Sequence, residues 1–162
     1  MVYIRLKNII DENFQDYKKP SMMLATCFCN WKCLTEKGLD ISICQNSDLA
    51  KQENIEVSIV DITDRYLENP ITKAIVIGGL EPFLQYEEVL DFVEYFRSRS
   101  DDDIVIYTGY YPYEIWTKRQ ILKQYKNIII KYGRYEENSK IKFDNVLGIS
   151  LISENQFAEK IS

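Results

Sequence analysis

Between residues 74 and 133 the chain alternates short, uninterrupted apolar runs with segments of helical periodicity. This alternation limits the possible folds more than any other feature. Ala74-Ile-Val-Ile77 closes on Gly78-Gly79, Ile104-Val-Ile-Tyr107 closes on Thr108-Gly109, and Ile128-Ile-Ile130 runs to Gly133. Between them, residues 86–98 carry Val89, Phe92, Val93 and Phe96 at i, i+3, i+4 and i+7, one apolar helical face. Residues 113–125 place Ile115, Leu122 and Tyr125 on one side of a second predicted helix. Strands that are apolar at every position are buried on both faces, so the pattern predicts a parallel sheet covered by βα crossovers. Ligands of such sheets bind beyond the carboxyl ends of the strands. Gly78, Gly79, Glu81, Thr108, Gly109, Gly133 and Arg134 follow strand ends and are expected at one rim.

Upstream, residues 2–6 and 22–28 read as short strands, and the second leads directly into a cysteine-rich loop. Ser47 is a candidate N-cap for a helical turn, and residues 58–67 read as a helix through Ile59, Ile62, Tyr66 and Leu67. Near the C-terminus, Val146, Ile149 and Leu151 suggest a last strand or extended flank, with Ser153, Asn155 and Gln156 available to face the site. A length of 162 residues favours one domain, 1–162, able to bury about two-thirds of its unfolded surface without a metal or disulfide staple.

Composition narrows the chemistry. Histidine is absent, which excludes histidine general bases, Ser-His-Asp and Cys-His nucleophiles, and histidine-ligated metals. A net charge of −5 with intermixed signs disfavours nonspecific nucleic-acid binding. No apolar stretch approaches the roughly 20 residues needed to span a bilayer, and the N-terminus has no signal-peptide core. A cytoplasmic protein is expected, in which four cysteines are thiols or metal ligands rather than disulfides.

Those cysteines are the second informative element. Three residues separate Cys29 from Cys33 and ten more separate Cys33 from Cys44, a poor match to the paired Cys-x2-Cys knuckles of structural zinc. Three soft thiolates suit an iron–sulfur cluster better. Cys27 either replaces Cys29 as a ligand or packs as a small hydrophobe. The turn Gly78-Gly79-Leu-Glu81-Pro82 lets backbone approach a small ligand, and Glu81 can receive an ammonium group. Gly79→Val is therefore expected to weaken ligand binding while leaving the sheet folded.

Together these segments resemble a small radical S-adenosylmethionine (radical SAM) protein, and within that superfamily the activating proteins of anaerobic ribonucleoside-triphosphate reductases. Cys29-Asn-Trp-Lys-Cys33 is similar to the start of the family's Cys-x3-Cys-x2-Cys loop, and Gly78-Gly79-Leu-Glu81-Pro82 to its Gly-Gly-Glu-Pro turn with one insertion. Tyr107-Thr-Gly-Tyr110, Lys131-Tyr-Gly-Arg-Tyr135 and Ser153-Glu-Asn-Gln156 resemble further activase segments in the same order. Glu36 stands where the third cysteine is usual, which leaves either a longer spacer closed by Cys44 or a lost cluster. Lys131 replaces an acid, and the family's glycine-rich adenosine motif is not evident.

The resemblance implies an α/β fold, a partial (β/α) barrel with a mostly parallel sheet. It implies a [4Fe–4S] cluster on Cys29, Cys33 and Cys44, and S-adenosylmethionine at Gly78, Gly79, Glu81, Thr108 and Gly109; it assigns no catalytic side chain. The implied activity is reductive cleavage of S-adenosylmethionine to a radical that takes a hydrogen atom from a glycine of the reductase. The implied partners are the large subunit of an anaerobic ribonucleotide reductase and a flavodoxin- or ferredoxin-type electron donor, with no nucleic acid and no membrane. Tyr110, Tyr111 and Arg134 are expected at the mouth. The alternatives are a radical enzyme acting on a small molecule or peptide, and a noncatalytic iron–sulfur or zinc module.

Overall fold

Both faces of the predicted strands are indeed covered, and the covering differs from face to face. The computed structural model of the protein describes residues 2–44 and 46–162. One seven-stranded sheet is formed by β1 (Tyr3–Asn13), β2 (Ser21–Thr26), β3 (Ile55–Ser58), β4 (Ala74–Gly79), β5 (Asp103–Tyr107), β6 (Ile128–Tyr132) and β9 (Phe157–Lys160). Its order is β3-β1-β2-β4-β5-β6-β9. The central four strands β2, β4, β5 and β6 are parallel, whereas β1, β3 and β9 pair antiparallel at the flanks. The expected α/β sheet is therefore mixed around a parallel centre. Among the described residues its ladder runs from β3 to β9 without closing into a barrel. A separate hairpin joins β7 (Lys142–Asp144) to β8 (Ile149–Leu151).

Period-two alternation sorts the strand side chains onto two cores. On one face Leu24, Ile75, Ile77, Ile104, Ile106 and Ile130 pack under three helices, α3 (Ile59–Glu68), α4 (Tyr86–Arg97) and α5 (Trp116–Leu122). There Phe92 stacks on Phe96 at 5.7 Å between ring centroids, and Tyr66 meets Phe96 edge-on at 5.0 Å. On the other face Ala74, Val76, Val105 and Ile129 pack against Tyr17 and against Leu147 and Leu151 of the hairpin region. Towards the carboxyl ends of the parallel strands this second face carries Met23, Ala25, Tyr107 and Lys131, and there the covering gives way to a cavity.

Several local expectations shift. The first strand runs to Asn13, with irregular register between Leu6 and Asn8 and between Ile10 and Asn13, where hydrophobicity alternates with charge. The helix read over 58–67 is present as α3, with Ser58 as its N-cap accepting the Asp61 amide at 3.3 Å, but Leu67 is exposed instead of lying on its buried face. The second predicted helix is shorter than 113–125, because Pro112–Glu114 form a separate 3-10 turn and α-helix begins only at Trp116. Ser47 lies inside the short helix α2 (Ser47–Ala50), whose N-cap is Asn46. The C-terminal flank is divided between β8 and β9. No described helix is long and apolar enough to cross a membrane.

Gly79 is fixed by the fold. Its φ is +81°, and an added Cβ would lie 2.8 Å from the Ala25 Cα and 3.0 Å from the Thr26 amide nitrogen. The expectation that Gly79→Val spares the sheet is therefore corrected: the β-carbon collides with neighbouring backbone. Gly79→Ala should lose about 2 kcal/mol or more in urea unfolding, combining left-handed strain with the clash. Gly38, also at positive φ but with nothing within 4 Å of an added Cβ, should lose only about 1 kcal/mol on the same change. Equal losses at the two sites would show that the Ala25 contact is not limiting.

Candidate functional site

The cavity occupies about 740 Å³ at the carboxyl end of the parallel strands. Cys29, Cys33 and Cys44 line it together with Gly79, Leu80, Glu81, Thr108 and Gly109. Gly78 stands apart. Its carbonyl accepts the Thr26 hydroxyl at 2.7 Å, and a Cβ there would crowd the Met23 methyl and Tyr107, so its smallness serves the wall behind the cavity.

Glu81 organises the rim. The carboxylate is buried, and burial pushes its pKa up; three donors oppose this by stabilising the charge. The Gly109 amide donates to Oε2 at 2.8 Å, and the Thr108 hydroxyl and the Phe83 amide donate to Oε1 at 2.7 and 3.1 Å. Thr108 and Gly109 thus line the cavity while holding Glu81. The Glu81 amide donates to the Phe28 carbonyl at 2.6 Å, tying this turn to the start of the cysteine loop. At the far end of that loop Asn46 donates through Nδ2 to the Gly79 carbonyl at 2.8 Å.

The loop aims its sulfurs through local backbone geometry. Trp31 adopts a left-handed φ of 58° before the short helix α1 (Lys32–Thr35), a strained conformation for a bulky residue. Its amide approaches Cys29 Sγ at 3.3 Å, and the Asn46 amide approaches Cys44 Sγ at 3.4 Å. Burial raises Cys29 to about 11 and moves Cys33 in the same direction, so the free thiols are protonated near neutrality. Binding of a cluster would release those protons, because the ligand is the thiolate. Cys27 lies outside this ring. It is buried, its amide donates to Gln85 Oε1 at 2.9 Å, and its thiol lies 3.6 Å from the Arg5 carbonyl. Of the two readings of Cys27, the packed thiol fits its surroundings.

The donor set suits a cluster. Three sulfurs ring one cavity, two of them receive backbone N–H groups that favour thiolate, and Met23, Ala25 and Tyr107 supply an apolar wall. Among the described residues no three His, Cys, Asp or Glu side chains are gathered about a single-ion position. A lone zinc would require sulfurs about 3.8 Å apart, given Zn–S bonds of about 2.3 Å. A cluster distributes its thiolates over separate irons.

Glu36, at the position usual for a third cysteine, turns away from the cavity to pair with Arg134 Nε at 3.1 Å. Arg134 also binds Glu114 at 2.5 Å and lies over the Tyr111 ring at 5.2 Å, and Lys32 reaches Glu114 at 3.0 Å. This network fastens the cysteine loop to the segment after β5. Tyr110 accepts Asn30 Nδ2 at 3.0 Å, while Tyr111 accepts Asn155 Nδ2 at 2.8 Å. Ser153 is spent on the backbone of Glu136, whereas Gln156 lines the cavity. Asn46 and the Glu114 network had no sequence signature, since each acts through a contact between distant segments.

A family model described as a 4Fe-4S single cluster domain matches residues 21–156. No curated protein matches the chain.

Two outcomes follow from the site. After anaerobic reconstitution with iron and sulfide, alanine at Cys29, Cys33 or Cys44 should abolish the cluster's absorption, whereas Cys27→Ala should retain about four irons. Loss with Cys27→Ala and retention with Cys44→Ala would reverse the assignment. Glu114 supplies a pH test. Burial would raise its carboxyl, but Arg134, the Tyr111 amide and Lys32 together hold it well below the usual carboxylate range, at about 2. A depressed folded-state pKa stabilises above the unfolded value and loses that contribution as pH falls towards 2. Glu114→Gln should therefore flatten the stability profile between about pH 4.5 and 2, measured by urea unfolding; an unchanged slope would place the acid sensitivity elsewhere.

Proposed function

The chain belongs to the 4Fe-4S single cluster domain family, and from that premise we propose that it is a radical SAM enzyme. Its proposed task is to generate a glycyl radical on the large subunit of an anaerobic ribonucleotide reductase. The observation that carries this reading is the convergence of three thiols, the Gly79–Glu81 turn and Thr108-Gly109 on one cavity. When bound, the cluster would supply the electron for reductive cleavage of the sulfonium of S-adenosylmethionine.

The chain's own residues would bind, orient and exclude water. Cys29, Cys33 and Cys44 would hold three irons. The Gly79–Leu80 backbone lets the ligand approach, and the Glu81 carboxyl group, oriented by its three donors, would favour its ammonium group. Met23, Ala25 and Tyr107 would keep water from the reacting centre. The support for a macromolecular substrate lies at the mouth. Ile10, Ile141 and Ile152 line the cavity yet remain 42%, 73% and 41% exposed, an apolar border suited to an inserted peptide loop. A flavodoxin- or ferredoxin-type donor is the proposed source of the electron.

Reduced, reconstituted protein mixed with S-adenosylmethionine and the matching reductase should give 5′-deoxyadenosine together with a doublet glycyl-radical signal in electron paramagnetic resonance. Deoxyadenosine without the doublet would move the assignment to a small-molecule or peptide substrate. An intact cluster that binds no S-adenosylmethionine would identify a noncatalytic iron–sulfur module.

A further inference from the structure

The helix after β5 carries charge of a single sign that the site described so far does not use. From Ile115 to Tyr135 the sequence holds Lys118, Arg119, Lys123, Lys126, Lys131 and Arg134 and no Asp or Glu, in a chain of net charge −5. Lys131 and Arg134 are buried, Arg119 is paired with Glu159, and Lys126 stands 3.8 Å from Asp101. Lys118 Nζ donates to the Phe83 carbonyl at 3.2 Å and Lys123 is exposed; neither has an acidic partner among the described residues. The adjoining helix α4, whose Tyr86 hydroxyl donates to the Lys118 carbonyl at 3.1 Å, turns the opposite sign outward. There Glu87, Asp91 and Glu94 are exposed at i, i+4 and i+7. An acidic partner is drawn to α5 and turned away from α4, so the charges fix its position as well as its sign.

Exposed apolar side chains stand where this basic surface meets the rim. Trp116, the first residue of α5, is 57% exposed with the Arg119 guanidinium 5.4 Å from its ring, and Tyr113 in the preceding turn is 77% exposed. Leu84, also exposed, lies on the 3-10 turn Pro82–Gln85, which Lys118 ties to α5 through Phe83. Both turns are fastened to the cysteine loop. The Glu81 amide holds Phe28, while Tyr110 and Glu114 hold Asn30 and Lys32. The patch therefore adjoins the outer side of the segment that carries Cys29 and Cys33. A tryptophan against a guanidinium is a common anchor of protein interfaces. The cavity mouth lies elsewhere: Ile10, Ile141 and Ile152 border the face of the sheet that the hairpin covers, whereas α5 packs on the other face.

We propose that Trp116, Lys118 and Lys123 form the docking surface for an acidic one-electron carrier protein, which approaches the cysteine loop from the helix side and leaves the mouth free for the substrate. The proposal rests on the reading of the cavity as a cluster site supplied by an external donor. In the transfer the carrier loses one electron and the cluster gains it, with no bond made or broken. The small size of the patch suits a carrier that must leave after each transfer, since transient redox encounters bury little surface.

The test uses the reconstituted protein with flavodoxin as the acidic carrier. Calorimetry at low and high salt measures binding, and stopped-flow absorbance measures cluster reduction, with dithionite as a reductant that needs no docking. Wild-type affinity should fall about tenfold or more as salt rises. Trp116→Ala should weaken binding about tenfold or more at either salt, as the loss of an interface anchor does. Lys118→Glu combined with Lys123→Glu should weaken it at low salt and flatten the salt dependence. Dithionite should reduce every variant at the wild-type rate, whereas flavodoxin should reduce each more slowly. Wild-type affinity in both variants would overturn the proposal alone. So would variants that keep flavodoxin but lose the reductase subunit, since the patch would then serve that partner. If dithionite reduces the wild-type cluster while flavodoxin neither binds nor reduces it, the external-donor reading falls and takes the proposal with it. Should Lys118→Glu not assemble, Trp116→Ala and Lys123→Glu alone decide the outcome by the same measurements.

Discussion

A carboxylate placed in a protein interior must be given donors, and the rest of the site follows from how Glu81 receives them. Its three partners come from two segments: Phe83 on its own turn, and Thr108 and Gly109 after β5. Satisfying one side chain therefore sets the ends of β4 and β5 in fixed relation, which the parallel pairing of Ile77 with Ile106 alone does not do. The backbone extends the arrangement. The Glu81 amide holds Phe28, and the Gly79 carbonyl holds Asn46, so both ends of the cysteine loop are fastened to the same short turn. Removing that carboxylate would leave donors unpaired on two segments, a cost greater than the loss of any one hydrogen bond.

The parallel centre of the sheet was legible because continuous apolar runs have few alternatives once both faces are buried. Ile75 and Ile77 turn to the helices, whereas Val76 turns to the other core, and no single-sided strand would be written that way. The antiparallel flanks were less legible. β1 mixes Arg5, Lys7 and Asp11 into its length because much of it is exposed, so its sequence carries no buried stripe beyond Ile4 and Leu6. The start of α5 was not legible for a related reason: Pro112–Glu114 carry no buried stripe and close a tighter 3-10 turn, capped by the Glu114 side chain on the Tyr111 amide.

Site residues divide along similar lines. Cysteines and turn glycines announce themselves by type, so Cys29, Cys33, Cys44, Gly79 and Glu81 could be named in advance, and the fold brings them to one cavity. Gly78 has the same residue type and a different task, visible only through its contacts with Met23 and Tyr107. Lys131 reads as a departure from an apolar strand, and nothing local in sequence distinguishes a buried ammonium from one that reaches solvent. Register decides it: pairing with Tyr107 places Lys131 on the cavity side, one residue before Tyr132, which is wholly buried under the helices.

The displaced third cysteine is accommodated by the same fastening. A loop whose ends are fixed by Phe28 and Asn46 need not preserve the spacing between its inner ligands. Lengthening the segment between Cys33 and Cys44 from two residues to ten costs only about 1.4 kcal/mol of closure entropy. Part of that is offset within the segment, where Asp40 accepts the Ser42 amide at 2.8 Å and caps the 3-10 turn Ile41–Ile43 that delivers Cys44. Glu36 meanwhile joins Arg134 and Lys32 on the outer side of the loop, so the position left without a thiol acts as a brace. Anchoring at the loop ends thus separates the geometry of the sulfurs from the count of residues between them, and a spacing that breaks the usual pattern still delivers three thiols to one cavity.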